Sequence, residues 1–387
     1  MNNSIEPLVN DGYAGEPAKR ALAFIQSQRE LGKNVVGTYC GYAPLEIIRA
    51  MDAVPAMLCA FANKTVEPAE VNLPANLCPL IKSSYGFIIT DTCPFFTLSE
   101  AVIAETTCDG KKKMFELIAS HRPMHVMDLP QLPDNIEARK NWTDMLKKLK
   151  DFLSTTFQKD ITDEKLEDEI KDTNIKNNLM NRIFDFGSLK PSVINWKEIY
   201  DLTFLAQPAR GKEISSLLQQ SIQTLEKRVE DGIFFGAVDS PRVLITGCPV
   251  GGDATKVYRI IEEAGGVIVA IDNCTGMKTF MDNIAEDTSD PYAAIAERYL
   301  KIPCSCMTPN QRRLTELDKM IERFRPDVVV DVILHACHSY NIESAKVKDH
   351  VRIKHNLAYL KIETDYSQGD VEQLRTRVES TLAMIKQ

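Results

Sequence analysis

The chain has 387 residues, of which 44% are hydrophobic and 26% charged, and its formal net charge is −8. This length predicts two or three domains of ordinary globular composition, and the negative charge argues against a nucleic-acid partner, whose phosphates require a basic surface. The N-terminus lacks the basic and apolar regions of a signal peptide and the longest apolar runs have only strand length, so we expect a cytoplasmic protein without a membrane segment.

The first third of the chain is predicted to alternate helices with strands. Residues 1–32 form an N-terminal segment with one helix over 17–31, and residues 33–136 form the first α/β domain. Short apolar runs that alternate with helical spacing predict β-α-β units and therefore a parallel sheet. The strands of this domain are expected at residues 34–39, 54–58, 87–90, 101–104 and 125–127.

The middle of the chain carries a different pattern. Between residues 137 and 238 the strand pattern disappears, and Trp142 and Met145 belong to a series of apolar residues at helical spacing. Further helices are expected over about 160–172 and 214–229. We interpret this segment as a helical connection or cap between two domains.

Residues 239–387 are predicted to form a second α/β domain that ends in a helix starting near residue 370. Its strands are expected at residues 242–246, 267–271, 328–334 and 358–362. The predicted fold class is therefore α/β, with two doubly wound, Rossmann-like parallel sheets and a helical segment between them.

Ten cysteines are many for a cytoplasmic protein, in which disulfides are rare. Most of them directly follow a predicted strand, namely Cys40, Cys93, Cys108, Cys248, Cys274 and Cys337. Parallel sheets bind ligands beyond the carboxyl ends of their strands, and helix N-termini there favour thiolate over thiol. The spacings exclude a zinc ribbon, whereas single thiolates from separate loops can hold an iron–sulfur cluster.

Cysteines elsewhere receive separate interpretations. Cys78 lies in an irregular loop between prolines and suits the same site, whereas Cys59 is expected inside a strand, as a core residue. His335 and His338 flank Cys337. They either have a structural role, as helix caps or as groups that support a ligand, or they donate protons beside a reduced cluster.

Two further patterns have competing interpretations. The glycine-rich turn at 246–252 is similar to a phosphate-binding turn, but it lacks the spacing of a dinucleotide-binding fingerprint, and tight packing of a helix on the sheet explains its glycines more simply. The run Lys111–Lys113 is either a solvated helix face or a local anion site.

Four motifs in this order resemble the 2-hydroxyglutaryl-CoA dehydratase D-component and benzoyl-CoA reductase family. They are GTYCGYAPLEII at 37–48, LPANLCP at 73–79, TCDGKK at 107–112 and HACH at 335–338. The resemblance spans nearly the whole chain, and four separated motifs are far more specific than one.

The resemblance implies an iron–sulfur cluster in a cleft between two α/β domains. In dehydratase members of the family, three cysteines of a subunit bind a 4Fe–4S cluster with one open iron site, and the matching residues here are Cys78, Cys108 and Cys337. The family also implies a separate ATP-hydrolysing iron–sulfur activator as the electron donor, and a homodimer.

Additional cysteines depart from that pattern and resemble the double-cubane branch of the family, in which six cysteines of one chain hold an 8Fe–9S cluster. The additional ligands expected here are Cys274, one of Cys304 and Cys306, and Cys40, with Cys248 and Cys93 as further candidates. This predicts the iron–sulfur component of an ATP-dependent two-component reductase acting on a small substrate. The alternatives are a 2-hydroxyacyl-CoA dehydratase subunit with one 4Fe–4S cluster, a non-catalytic electron carrier and a nucleotide-dependent enzyme.

Overall fold

A computed structural model describes residues 5–9 and 11–385. Within these residues eight strands form two sheets of four strands each, and every pairing between strands is parallel. The strands are β1 (Asn34–Thr38), β2 (Ala53–Met57), β3 (Ala101–Glu105), β4 (Met124–Met127), β5 (Arg242–Gly247), β6 (Val267–Asp272), β7 (Val328–Leu334) and β8 (Ala358–Thr364).

Fifteen α-helices accompany these strands in the described part of the chain. They are α1 (Pro17–Glu30), α2 (Leu45–Ala50), α3 (Val66–Ala69), α4 (Pro79–Ile89), α5 (Pro94–Leu98), α6 (Asp109–Ile118), α7 (Ile136–Phe157), α8 (Asp163–Asp185), α9 (Trp196–Ala206), α10 (Gly211–Glu230), α11 (Lys256–Glu263), α12 (Pro291–Leu300), α13 (Gln311–Phe324), α14 (His338–Asp349) and α15 (Val371–Ile385). None of them combines the length and apolar character required to cross a membrane.

The two sheets share one strand order. The first runs β2-β1-β3-β4 and the second β6-β5-β7-β8, so the earliest strand of each sheet lies second from one edge. Strands β3, β5 and β7 are buried along their whole length, as expected for parallel sheets that are covered on both faces. The predicted α/β class with two Rossmann-like sheets is confirmed.

Helices α7 to α10 lie between the two sheets in the chain and contact elements of both. Helix α8 packs against α10 and α2, and α7 packs against α12. Trp142 on α7 is fully buried and belongs to a core that also contains Ile48 of α2 and Ile295 of α12. The helical connection therefore braces both halves instead of spanning an open gap.

One predicted strand is wrong. Residues 87–89 are the last residues of α4, which begins at Pro79 and is buried on almost every side, and Thr90 caps this helix. A helix buried all round loses its polar stripe, so its last apolar residues read like a short buried strand. As a consequence, Cys93 follows a helix and not a strand, and it lies at the N-terminus of the short helix α5.

The glycine-rich turn after β5 is explained by close packing. Gly247 has a φ of +111°, and a Cβ atom there would lie 2.3 Å from the carbonyl oxygen of Val332 on the neighbouring strand. A Cβ on Gly252 would lie 2.4 Å from the carbonyl oxygen of Phe61, which follows β2 in the other sheet. The turn therefore brings loops of the two sheets together.

Candidate metal centre

Cysteines gather where the loops at the carboxyl ends of the two sheets meet. Direct hydrogen bonds join these loops, including Asn63 N–H to Asp253 Oδ2 at 2.7 Å and Tyr42 Oη to the Ile302 carbonyl at 2.9 Å. Five cysteines follow strands as predicted, namely Cys40 after β1, Cys108 after β3, Cys248 after β5, Cys274 after β6 and Cys337 after β7.

Three cysteines occupy the same position relative to a helix. Cys78, Cys108 and Cys337 are the residues immediately before α4, α6 and α14, each of which has at least ten residues. The free N–H groups and the positive end of the helix dipole stabilise a thiolate at such a position. These are the three residues that the family resemblance implied as ligands of a single 4Fe–4S cluster.

The same three thiols form a first group, since their charges act on one another. Burial, together with the charges of the nearby Cys337 and Cys108, raises the pKa of the Cys78 thiol to about 12. A hydrogen bond from the Cys248 thiol lowers the pKa of Cys337. Cys248 is only 1% exposed, and its sulfur accepts the Leu334 N–H at 3.4 Å, so it packs behind the group.

A second group consists of Cys40, Cys274 and Cys304. The sulfur of Cys274 lies 3.8 Å from the position that a Cβ atom on Gly41 would take, next to Cys40. A hydrogen bond from the Cys306 thiol lowers the pKa of Cys304.

Cys306 lies behind this second group, as Cys248 lies behind the first. It is buried in the core formed with α7 and α12, and its sulfur lies 3.9 Å from the Tyr42 hydroxyl. The two groups are neighbours, because the charge of Cys304 also acts on Cys108 and Cys337.

The two remaining cysteines make other contacts. The Cys59 thiol donates a hydrogen bond to the Tyr39 carbonyl at 2.8 Å, and the Cys93 sulfur accepts the Phe96 N–H at 3.4 Å. Cys59 is half-buried and lies two residues beyond the end of β2, so the prediction that it sits inside a strand is wrong.

Two lysines that sequence reasoning did not assign to the site bring positive charge to the thiols. Lys111 turns inward and donates to the Tyr39 carbonyl at 3.0 Å, although its neighbours in the lysine run are exposed. Lys278 is fully buried, 3.6 Å from an oxygen of Asp272. Burial raises the pKa of Cys274 to about 11, and both lysines oppose that rise.

Spacing along the chain is the signal that could have found these lysines. Lys111 comes three residues after Cys108, and Lys278 comes four residues after Cys274. In a helix or a helical turn, side chains three or four residues apart lie on one face. Lys112 and Lys113 therefore lie on a solvated face of α6, as one interpretation of the lysine run predicted, whereas Lys111 points inward towards the thiols.

A buried carboxyl group completes the site. Glu105, the last residue of β3, is fully buried, and neither of its side-chain oxygens has a hydrogen-bond partner among the described residues. Burial raises its pKa to about 8, and the nearby Lys111 offsets only part of that rise. The group can therefore hold a proton at neutral pH.

The two histidines proposed as proton donors lie at the outer edge of the site. His335 and His338 are both exposed, on either side of Cys337. The His335 Nδ1 atom is 3.8 Å from an oxygen of Asp365. Their catalytic role stays a prediction.

A cavity of about 550 Å³ is bordered by Cys59 and Cys93, the two cysteines outside both groups. It is lined largely by apolar and aromatic side chains, among them Phe61, Phe95, Tyr200 and Phe204. Cys59 borders this cavity as well as a smaller one of about 90 Å³ that reaches Cys40 and Cys274. Cys59 therefore links the two cavities, whereas the lining of the larger one includes no member of either thiol group.

The donor set fits an iron–sulfur cluster better than a single ion. Six thiols in two adjacent groups, with two lysine ammonium groups beside them, supply soft anionic ligands and balance their charge. Thiolates that bind different irons of one cluster lie farther apart than ligands of one ion. The residues of each group come from both sheets, so a cluster bound there would lie between them.

Comparisons with known proteins show the family to which the chain is related. The family model described as 2-hydroxyglutaryl-CoA dehydratase, D-component, matches residues 40–385. The chain is also similar to a protein of Escherichia coli (strain K12) named "Putative dehydratase subunit YjiM", with 42% identity over 380 residues, which covers 98% of each chain.

Proposed function

Because the chain belongs to the 2-hydroxyglutaryl-CoA dehydratase D-component family, we propose that it is the iron–sulfur component of an ATP-dependent two-component reductase. The observation that carries the proposal is the presence of two adjacent thiol groups where a single-cluster dehydratase subunit needs one. A double-cubane cluster of the 8Fe–9S type needs six thiolates, and the two groups supply six.

The proposed ligands are Cys78, Cys108 and Cys337 for one half of the cluster and Cys40, Cys274 and Cys304 for the other. Cys306 and Cys248 are better suited to support the ligands, because each is buried in the core beside a proposed ligand and lowers the pKa of that ligand. This narrows the choice between Cys304 and Cys306 to Cys304.

When bound, such a cluster supplies electrons of low potential to the substrate. The chain itself contributes the environment. Lys111 and Lys278 balance the charge of the thiolates, and the apolar cavity excludes water from the substrate. Glu105 holds a proton close to Lys111 and Cys40, which limits the negative charge beside the thiolates.

The electron donor and the assembly are part of the proposal. We propose that a separate ATP-hydrolysing iron–sulfur protein delivers the electrons, and that the chain works as a cytoplasmic homodimer. A pull-down from anaerobic lysate with ATP present, followed by assay of reduction with the captured partner, tests the first point, and sedimentation tests the second.

Iron content tests the central claim. The protein is purified without oxygen, and iron and acid-labile sulfide are measured per chain. About eight irons per chain are expected for the double cubane, whereas about four would favour a single cubane on Cys78, Cys108 and Cys337. A colourless protein without iron refutes the cluster.

A pair of variants tests the second group. Cys274→Ala should lower the iron count per chain, because it removes one of the six proposed ligands. Cys93→Ala is the matched control, since Cys93 lies outside both groups and should leave the count unchanged. An equal count in both variants would exclude Cys274 as a ligand.

A second candidate function follows from the family and from the name of the relative, both of which refer to a dehydratase. In that case the chain removes water from a 2-hydroxyacyl-CoA, and the apolar cavity holds the acyl chain. Formation of an enoyl-CoA from such a substrate, together with about four irons per chain, would favour this function over the reductase.

A further inference from the structure

A second cluster of metal-binding side chains lies away from the thiols. It consists of Asp318 on α13 and of His350 and His355, which lie at the two ends of the turn that follows α14. Among the residues that the structure describes, this is the one set of three histidine, cysteine or carboxylate donors whose ligand atoms all lie within 4.8 Å of one another.

The two imidazoles meet at a single carboxylate oxygen. The Nε2 atom of His350 lies 2.5 Å from Oδ1 of Asp318, and the Nε2 atom of His355 lies 2.6 Å from the same atom. The other oxygen, Oδ2, accepts a hydrogen bond from Lys354 at 2.6 Å. The carboxylate is thus held by Lys354 through one oxygen, while the other oxygen is hydrogen-bonded to both histidines.

The backbone explains how two histidines five residues apart share one face. In an α-helix residue i+5 lies about 140° around the axis from residue i, so the two side chains would diverge. Residues His350–Lys354 form a turn of π-helix, in which the i→i+5 hydrogen bond places such residues above one another. The two rings lie 5.5 Å apart between centroids. Turns of this kind are rare and occur frequently at functional sites.

We propose that Asp318, His350 and His355 bind one divalent transition-metal ion, with zinc as the expected occupant and water as the fourth ligand. Two imidazoles and a carboxylate are a common set of three protein ligands for such an ion. Ligand atoms about 2.1 Å from a tetrahedral ion lie about 3.4 Å apart, so the side chains need to separate by about 1 Å from their hydrogen-bonded positions. Lys354 on the second oxygen supports the carboxylate, as partners of ligating carboxylates do.

The site is distinct from the thiol groups. Cys337 precedes the first residue of α14 and His350 follows its last, and a helix of twelve residues is about 18 Å long. The three side chains are between 14% and 26% exposed, so an ion can enter from solvent. A bound ion would fasten the end of α14 to α13.

Cobalt binding to the iron-loaded protein tests the proposal. The protein is treated with a mild chelator, its iron content is checked, and Co²⁺ alone is added without oxygen. We expect one Co²⁺ per chain with visible bands of a four-coordinate ion and no thiolate charge-transfer band. Zn²⁺ should displace it. A Co²⁺ ion with sulfur ligands, or no bound Co²⁺, overturns the proposal.

Variants decide which residues hold the ion. The double substitution His350→Ala/His355→Ala should abolish the Co²⁺ equivalent and leave the iron count unchanged. Asp318→Asn keeps the shape and one hydrogen-bonding oxygen, so it should fold normally and still weaken Co²⁺ binding at least tenfold. His121→Ala, at an exposed histidine of the other half, is the control and should bind like the wild type. Unchanged binding in the double variant and in Asp318→Asn refutes the assignment.

Discussion

The buried carboxyl group of Glu105 provides the sharpest quantitative prediction. Its pKa is about 8 in the folded chain, against an ordinary value of 4.5, because the side chain is fully buried without a hydrogen-bond partner in the described structure. Between these two pH values the unfolded chain releases the proton and the folded chain keeps it. The folded state is therefore favoured fully below pH 4.5 and loses stability as the pH rises through 8.

The size of this loss follows from the same two values. Each pKa unit corresponds to about 1.4 kcal/mol, so the difference between the folded pKa of Glu105 and its ordinary value corresponds to about 5 kcal/mol of unfolding free energy. Glu105→Gln keeps the shape but cannot ionise, so it should remove this pH dependence. An amide without partners costs about 1–3 kcal/mol at every pH, so the variant can be less stable than the wild type in acid and more stable in alkali.

The assay is urea unfolding of the reduced, cluster-free protein at pH 4.5 and pH 8.5, and tryptophan fluorescence monitors the transition. The difference in unfolding free energy between the variant and the wild type should shift by up to about 5 kcal/mol in favour of the variant from pH 4.5 to pH 8.5. Glu116→Gln, at an exposed glutamate of α6, is the control and should show no such gain. If the two variants respond equally to pH, the buried proton on Glu105 does not exist.

Three further changes test the site and its scaffold. Cys304→Ser should lower the iron content of the anaerobic protein whereas Cys306→Ser should not, and the reverse result would exchange their roles. Lys111→Met removes a cation beside the thiols, so the bound iron should be harder to reduce. A potentiometric titration should show a reduction potential lower by about 40 mV, on the order of 1 kcal/mol. An unchanged potential would mean that the ammonium group is too far from the iron to affect it. Gly86→Ala places a Cβ atom 1.8 Å from a main-chain oxygen and should cost about 2 kcal/mol or more in thermal unfolding, whereas Gly369→Ala, whose Cβ has ordinary contacts, should be nearly neutral.

The sequence predicted the parallel strands well, because a buried parallel strand is a short apolar run bounded by turn residues. It failed where that signal is shared with another element. Residues 87–90 are as apolar as a strand but end a helix that is buried on nearly all sides, and this error moved Cys93 to a strand end. Helices α3, α4, α5, α9 and α13 were not predicted.

The candidate site was predicted in placement but not in detail. Strand ends located most of the thiols, since the carboxyl ends of parallel strands meet at one edge of a sheet. Which member of a close pair faces the site depends on packing across the two sheets, so the sequence left Cys304 and Cys306 equivalent. The direction of Lys111 was also open, because three consecutive lysines on a helix point three ways and only the fold decides which is inward.

The main hydrophobic core explains why cofactor and fold can be tested separately. It contains residues of both sheets, such as Val102 of β3 and Ile245 of β5, and Phe61 packs against the turn after β5. Apolar burial of this extent holds the two sheets together without a bound group. Cysteine variants that lose iron should therefore keep their secondary structure, whereas a zinc-finger-like centre would unfold with its metal. A low iron count in a folded variant can then be attributed to the missing thiolate.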